Sequence, residues 1–192
     1  MTKLPHKKIE TERLILQPYL VQNYRAVFQL IQKNKPRLIH SFPNMLNATE
    51  TETATKDFAQ QKIFDWNKNK SFAYHLILKE NQQLIGHFNI KDIDWKNREC
   101  ELAYFIDVDF EKKGYVSEAI HKILRLAFLF LEMQRVTARV VTSNLASQRV
   151  LQKNGMQYEG TFYNAYTTYD LQLVDTYRYG ISKEDFLKTA LP

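Results

Sequence analysis

Apolar and polar positions alternate along this chain with two different periods. Residues 9–17 have the pattern of a strand, and apolar residues at helical spacing follow until Pro36, where we expect that helix to end. Thr49 and Glu52 match a capping box and predict a second helix that reaches about Trp66. The first third of the chain therefore predicts one strand followed by two helices.

The middle of the chain has the pattern of half-buried strands. Residues 71–79 and 84–92 predict a hairpin whose turn is Asn81-Gln82, and residues 99–107 predict a third strand. From Ile120 to Leu131, apolar residues recur at every third or fourth position, which predicts a long amphipathic helix packed on the sheet.

The last third predicts a short helix and three strands. Asn144 is expected to cap the helix, and Gly155 to follow its end. The strands are expected at residues 135–142, 156–163 and 171–181. Strand, helix and strand around residues 117–131 require a parallel right-handed crossover, whereas hairpins are antiparallel. We therefore predict one α/β (α+β) domain, residues 1–192, with a mixed, mostly antiparallel sheet of about seven strands flanked by helices.

Composition narrows the class of protein. A lone cysteine, Cys100, excludes an internal disulfide and is expected to be a buried hydrophobe. We see no secretory signal, and the most apolar run, residues 123–131, is too short to span a bilayer. We therefore expect a cytoplasmic protein with no membrane partner. The five histidines lack metal-ligand spacing, so no metal is expected.

The formal net charge of +6 leaves four explanations open: RNA binding, an acidic substrate, a phosphorylated cofactor or a solvated basic surface. Because no block of five like charges occurs, we expect no direct nucleic-acid role.

Candidate chemistry lies at the junction between residues 99–107 and the long helix. The sequence DFEKKGYVSEAI, residues 109–120, places Gly114 and two lysines just before that helix. Free N–H groups at a helix start attract anions, and glycine lets an anion approach the backbone closely. The alternative is a simple helix start. Asn144 begins a second such junction, and a cleft between the two suits a long ligand with a phosphate at one end.

Six short motifs follow one another along the chain. They are ETERL at 10–14, FQLIQKNKPRLIHSFP at 28–43, ELAY at 101–104, EKKGYV at 111–116, N-x-x-S-x-x-V-x-x-K-x-G-M at 144–156 and DTY at 175–177. In this order they resemble motifs of the Gcn5-related (GNAT) acetyltransferases, and within them the ribosomal-protein serine/alanine (Rim-type) group. The family loop reads [Q/R]-x-x-G-x-[G/A]; Gly114 matches it, whereas Glu111 and Val116 depart from the pattern.

The resemblance implies a single GNAT-type domain whose sheet is splayed at a parallel pair, with acetyl-CoA as co-substrate. The N–H groups of residues 112–116 would bind pyrophosphate, and residues 104–107 would pair with the pantetheine arm. Asn144 would bond that arm or only cap its helix, and Lys153 would lie near phosphates or only stabilise a helix end. Glu111 should point away from the phosphates, with Lys112 and Lys113 compensating its charge. The expected cofactor-binding residues are Phe105, Ile106, Lys112, Lys113, Gly114, Tyr115, Val116, Ser117, Asn144, Ser147 and Lys153.

Glu101 and Ser147 are the catalytic candidates: Glu101 because a carboxylate on a mostly apolar strand is costly without partners or a task, and Ser147 because the resemblance to the Rim-type group suggests it. Glu101 would deprotonate the amine, directly or through a water, and its alternative role is a structural carboxylate. Ser147 would protonate the thiolate of CoA, and its alternative role is a helix serine that bonds only backbone. Serine-specific members of the group are thought to use a glutamate near the position of Tyr166, where this chain has no acid.

The expected function is transfer of acetyl from acetyl-CoA to a primary amine by direct attack in a ternary complex. A protein N-terminal α-amine of the ribosomal-protein type is the preferred acceptor. Its pKa of about 8, against about 10.4 for lysine, makes deprotonation about 3 kcal/mol easier. A small-molecule amine, or a CoA-binding regulatory protein without turnover, stays open, as does a homodimer.

Overall fold

The computed structural model describes residues 7–190, and the outermost residues of the expected domain, 1–6 and 191–192, lie outside the described residues. Eight strands of the described part form one sheet in the order β1-β2-β3-β4-β5-β6-β8-β7. They are β1 Ile9–Glu10, β2 Leu14–Pro18, β3 Phe72–Leu78, β4 Leu84–Asp94, β5 Glu99–Ile106, β6 Arg135–Val141, β7 Gln157–Thr167 and β8 Leu173–Ser182. The helices are α1 Tyr24–Leu38, α2 Pro43–Ala48, α3 Glu52–Asn67, α4 Tyr115–Arg125, α5 Leu145–Lys153 and α6 Lys183–Ala190.

Helices cover both faces of the sheet, which explains why the central strands are buried on both sides. Tyr19, Ala73 and Phe105 form a cluster with apolar residues of α1, α2 and α3. The other face packs against α4, whose apolar stripe includes Ile120 and Ile123, both fully buried. The stripe continues through a wider π-helical turn, Leu126–Phe130.

The pairing of β5 with β6 positions the site. These two strands are parallel, as the crossover rule requires, and they pair at Glu99, Cys100 and Glu101 of β5. Beyond Glu101 the strands separate, so the rest of that β5 edge lacks a neighbour in the sheet. The neighbouring pairs β4–β5 and β6–β8 are antiparallel. The expected mixed sheet with one parallel pair is therefore confirmed.

The structure corrects three details of the amino-terminal third. The expected single strand 9–17 is two antiparallel strands. The Thr11 hydroxyl closes a turn between them, because it donates to the carbonyl of Leu14 and accepts from its N–H. The sheet of the described residues therefore has eight strands instead of about seven. Pro36 lies inside α1, where only two residues follow it. Thr51, not Thr49, caps α3 by accepting from the N–H of Ala54 at 3.1 Å.

Expectations about three individual residues are confirmed. Asn144 caps α5, and Gly155 follows its end with a φ of +81°. Cys100 is 1% exposed, and burial raises the pKa of its thiol to about 12, with Glu99 and Glu101 adding to the shift. Within residues 7–190, no helix combines the length and apolar character needed to cross a bilayer.

Candidate active site

A cavity of about 470 Å³ opens where β5 and β6 separate. Four consecutive residues of β5, starting at Glu101, line it, because this edge of the strand has lost its neighbour. In one direction the cavity reaches Asn144 and Ser147, and we call this the α5 side. In the other direction it reaches Phe58 and Lys62, which we call the α3 side. Its volume is in the range of cavities that bind small ligands.

On the α5 side, two hydroxyl groups lie together. The side-chain oxygen of Asn144 accepts from the N–H of Ser147 at 3.1 Å and fixes the first turn of α5. The Ser147 hydroxyl then donates to the Tyr104 hydroxyl oxygen at 3.2 Å. Burial raises the pKa of Tyr104, and the bond from Ser147 opposes that shift only in part. Tyr104 therefore stays protonated at neutral pH and retains a proton to donate.

Between the two sides, Glu101 is held by two cations. Its carboxylate lies 2.7 Å from Lys91 Nζ and 2.8 Å from Arg139 Nε, and its side chain is 13% exposed. Lys91 also contacts Asp92 at 2.6 Å. Burial alone would lower the pKa of Lys91, but Glu101 and Asp92 outweigh burial and raise it. Glu101 thus lines the cavity, and both of its oxygens serve in a charge network.

The loop before α4 presents backbone N–H groups. Gly114 caps α4 with a φ of +82°, a conformation that favours glycine. Lys112 also has a positive φ, of 58°. In the described part of the chain, no hydrogen bond takes up the N–H groups of residues 112–117. A run of N–H groups at a helix start forms an anion-binding concavity.

Several ion pairs hold this loop from outside, among them those of Arg13 and Arg37. Arg13 donates from Nε to Glu118 Oε2 at 2.7 Å and from Nη1 to the carbonyl of Lys113 at 2.9 Å. Its guanidinium lies 4.6 Å from the ring centroid of Tyr115.

Glu111 is paired with Arg37 of α1. The charge of Glu111 is therefore neutralised by Arg37, rather than by Lys112 and Lys113 as expected. Lys113 Nζ instead donates to a backbone carbonyl.

The remaining residues of the expected cofactor site frame the loop. Phe105 and Ile106 are buried, 7% and 8% exposed, at the end of β5. Val116 is buried in the first turn of α4, and the Ser117 hydroxyl accepts from Asn154 Nδ2 at 2.9 Å. This bond brings the end of α5 beside the start of α4. Lys153, the residue before Asn154, is exposed there.

On the α3 side, the cavity has polar walls that sequence reasoning missed. Asn89 and Thr176 are 6% and 2% exposed, and each has a side-chain oxygen without a hydrogen-bond partner in the described residues. Tyr166 of β7 donates to the carbonyl of Ser41 at 3.0 Å, which joins two walls. Burial raises the pKa of Tyr166. Across residues 7–190, no group of three or more His, Cys, Asp or Glu side chains is arranged to hold a metal.

Some of these residues carried a signal in the sequence. Lys91 lies opposite Glu101 in the β4–β5 register, so opposite charges on facing strands could have indicated the pair. Tyr104 belongs to the ELAY motif but was expected only to pair with a cofactor through its backbone. Asn89 and Lys62 gave no signal, because their role depends on how β4 and α3 enclose the cavity.

Comparison with known proteins assigns the class and then the family. The chain is an acyltransferase, since relatives along most of its length are named N-acetyltransferases. More narrowly, it belongs to the GNAT family, because the model described as an acetyltransferase (GNAT) domain matches residues 13–157. The expected resemblance is confirmed, and the similar proteins include ribosomal-protein serine and alanine acetyltransferases. Members of the family use acetyl-CoA.

Three similar proteins illustrate this assignment. The uncharacterized N-acetyltransferase YoaA of Bacillus subtilis (strain 168) is 28% identical over 166 residues, 84% of this chain and 92% of that protein. The ribosomal-protein-serine acetyltransferase of Escherichia coli (strain K12) is 24% identical over 150 residues, 78% and 82% of the two chains. The structure of ribosomal-protein-S5-alanine acetyltransferase from Vibrio fischeri superposes with a TM-score of 0.84 at 18% identity, covering 94% and 98%, a likeness of fold.

Proposed function

We propose that this chain transfers the acetyl group of acetyl-CoA to a protein N-terminal α-amine of the ribosomal-protein type, by direct attack in a ternary complex. One observation carries the proposal: a single cavity connects the α5 side, at the start of that helix, with the polar α3 side. A donor and an acceptor can enter it from different directions and meet at the separated strands.

The residues around the glycine loop fit CoA. The free N–H groups of residues 112–117 and the left-handed Gly114 suit a pyrophosphate, and Lys153 at the nearby end of α5 adds positive charge. The unpaired edge of β5 beyond Glu101 suits the amides of a pantetheine arm, since it offers backbone donors and acceptors. Asn144 caps α5 and lies in the same cavity, so it can still meet that arm.

Acetyl-CoA supplies an activated thioester, and the chain has to manage protons on both sides of it. Glu101 takes the proton of the incoming amine, directly or through a water, from a position between Lys91 and Arg139. Ser147 turns its hydroxyl hydrogen from Tyr104 to the leaving thiolate, and the Tyr104 hydroxyl then donates to the Ser147 oxygen and replaces that proton. The unpartnered oxygens of Asn89 and Thr176 accept hydrogen bonds from the acceptor.

A small-molecule amine is the second candidate acceptor. The bond from Tyr166 to the carbonyl of Ser41 joins two walls of the α3 side, and a narrowed cavity favours a short acceptor over a chain that must extend outwards. A CoA-binding protein without turnover is the third candidate. It is favoured by the two ion pairs that occupy the carboxylate of Glu101.

Thiol release from acetyl-CoA with a panel of acceptors tests these candidates. We expect release with peptides that start with serine or alanine, and none with the same peptides carrying a blocked amino terminus. Release with polyamines or amino acids alone would establish the second candidate. CoA binding with no release for any acceptor would establish the third.

A further inference from the structure

Lys62 lines the α3 side of the cavity, and among the described residues it forms no ion pair with a carboxylate. Its ammonium lies 4.9 Å from the ring centroid of Phe58, another residue that lines the cavity. Asp65, three residues further along α3, acts on it electrostatically without forming an ion pair, and its carboxylate accepts from Gln61 Nε2 at 2.8 Å. Burial lowers the pKa of Lys62, Asp65 raises it and Lys91 lowers it further. A half-buried cation of this kind is costly until an anion joins it.

The other charges of the cavity balance one another. Lys91 pairs with Asp92 and Glu101, and Arg139 pairs with Glu101 at 2.8 Å and with Asp92 at 3.9 Å. Two cations thus meet two carboxylates. Lys62 is the additional cation of the cavity lining, and the charge that it attracts has to come from a ligand.

The position of Lys62 separates it from the start of α4. Lys62 acts electrostatically on Lys91 and His87, which lie opposite Glu101 and Phe105, so it lies alongside the unpaired edge of β5. Its helix α3 packs with α1 and α2 on one face of the sheet, whereas α4 packs on the other face. Phosphates bound by the N–H groups at the start of α4 therefore lie across the sheet from Lys62. The anion at Lys62 belongs to the acceptor.

We infer that Lys62 binds a carboxylate of the acceptor, so that the preferred substrate is a protein amino terminus with an Asp or Glu side chain close to its α-amine. This inference rests on the proposed function, because it assumes that the α3 side receives the acceptor. Asn89, buried with an unpartnered oxygen in the same lining, binds a polar hydrogen of that acceptor. An ion pair to a charged donor gives the site a preference for acidic peptides.

Two serine-initiated peptides test the inference, one with Asp or Glu at positions two to four and one with Asn or Gln there. For the unaltered protein we expect a KM for the acidic peptide about tenfold lower than for the amide peptide. Lys62→Met should remove this difference in KM, and Lys62→Arg should retain it. In Lys62→Glu, a third peptide with Lys at positions two to four should have a lower KM than the acidic peptide. Lys68→Met is the matched control, because Lys68 has a similar contact with Phe64, 5.7 Å from its ring centroid, and does not line the cavity.

Failure of this inference is distinct from failure of the proposed function. Equal KM values for both peptides, or an equal loss with both peptides in Lys62→Met, would overturn the role of Lys62 while acetyl transfer to peptides stands. If no peptide is acetylated, the affinity of the CoA-loaded protein for each labelled peptide is measured by fluorescence anisotropy. Tighter binding of the acidic peptide that Lys62→Met abolishes supports the inference, and equal or absent binding overturns it.

Discussion

Arg13 and Glu118 lie 2.7 Å apart, from Nε to Oε2, and join the turn between β1 and β2 to the first turn of α4. The Thr11 hydroxyl and the N–H of Arg13 bind the same carboxylate. Arg13 also holds the carbonyl of Lys113, next to Gly114. The ETERL motif, far from the glycine loop in sequence, is thus its outer support.

Replacing Arg13 should weaken binding of acetyl-CoA. We expect Arg13→Gln to raise the KM for acetyl-CoA about tenfold, because charge-assisted hydrogen bonds of about 1.5–3 kcal/mol orient the loop. The measurement is thiol release at varied acetyl-CoA, together with thermal unfolding. Arg25→Gln is the control, because the Arg25–Glu52 pair is exposed and remote from the loop. A lower Tm with an unchanged KM would show that Arg13 supports only the fold.

The same ion pair makes stability depend on pH. Burial alone would raise the pKa of Glu118, but the bonds from Thr11 and Arg13 outweigh burial and lower it below its usual value of 4.5. The ionised carboxylate therefore stabilises the fold above pH 4.5, and this stabilisation is lost as the pH falls through the lowered pKa.

We expect Glu118→Gln to have a lower Tm than the unaltered protein at pH 7, and the difference to shrink as the pH falls towards 3. Thermal unfolding at a series of pH values measures it. A Tm difference that stays constant over this range would show that the charge of Glu118 does not stabilise the fold.

Features that depend only on neighbouring residues could be predicted from the sequence. Asn144 and Gly155 were identified from α5 alone, because a cap and a helix end depend on residues only a few positions away. Gly114 was likewise evident from the strand-to-helix junction. The contact between Arg13 and Glu118 was not, since it depends on how the β1–β2 turn packs on α4. Lys62 was missed for the same reason, because its place in the cavity depends on how α3 packs on the sheet.

The hydrogen-bonded hydroxyl groups of Ser147 and Tyr104 predict unequal effects of two variants. If Ser147 protonates the thiolate, Ser147→Ala should lower kcat about 100-fold, within the usual range for general acids. Tyr104→Phe should lower it less, because the ring keeps its stacking on Phe88 and only the relay to Ser147 is lost. The double variant should resemble Ser147→Ala, since the two groups act in sequence. A larger loss in Tyr104→Phe than in Ser147→Ala would assign the proton to Tyr104.

The contacts of Glu101 suit two roles, a structural carboxylate and a general base. Its carboxylate is ion-paired on both oxygens, with Lys91 and Arg139, so removing it leaves two cations without their partner. A structural role and a catalytic role both predict lost activity. They differ in how that loss depends on pH, because an α-amine with a pKa of about 8 is mostly neutral at pH 9 and depends less on a base.

As a general base, Glu101 should matter more at pH 7 than at pH 9. We expect Glu101→Gln to lower kcat/KM for a peptide acceptor about 100-fold at pH 7 and about tenfold or less at pH 9. Arg139→Gln is the matched control: it breaks the same network and leaves the carboxylate in place, so its loss should be similar at both pH values. Thermal unfolding of both variants measures the damage to the network separately. An equal loss at pH 7 and pH 9 in Glu101→Gln, matching that of Arg139→Gln, would assign Glu101 to the architecture of the cavity and leave deprotonation to another group.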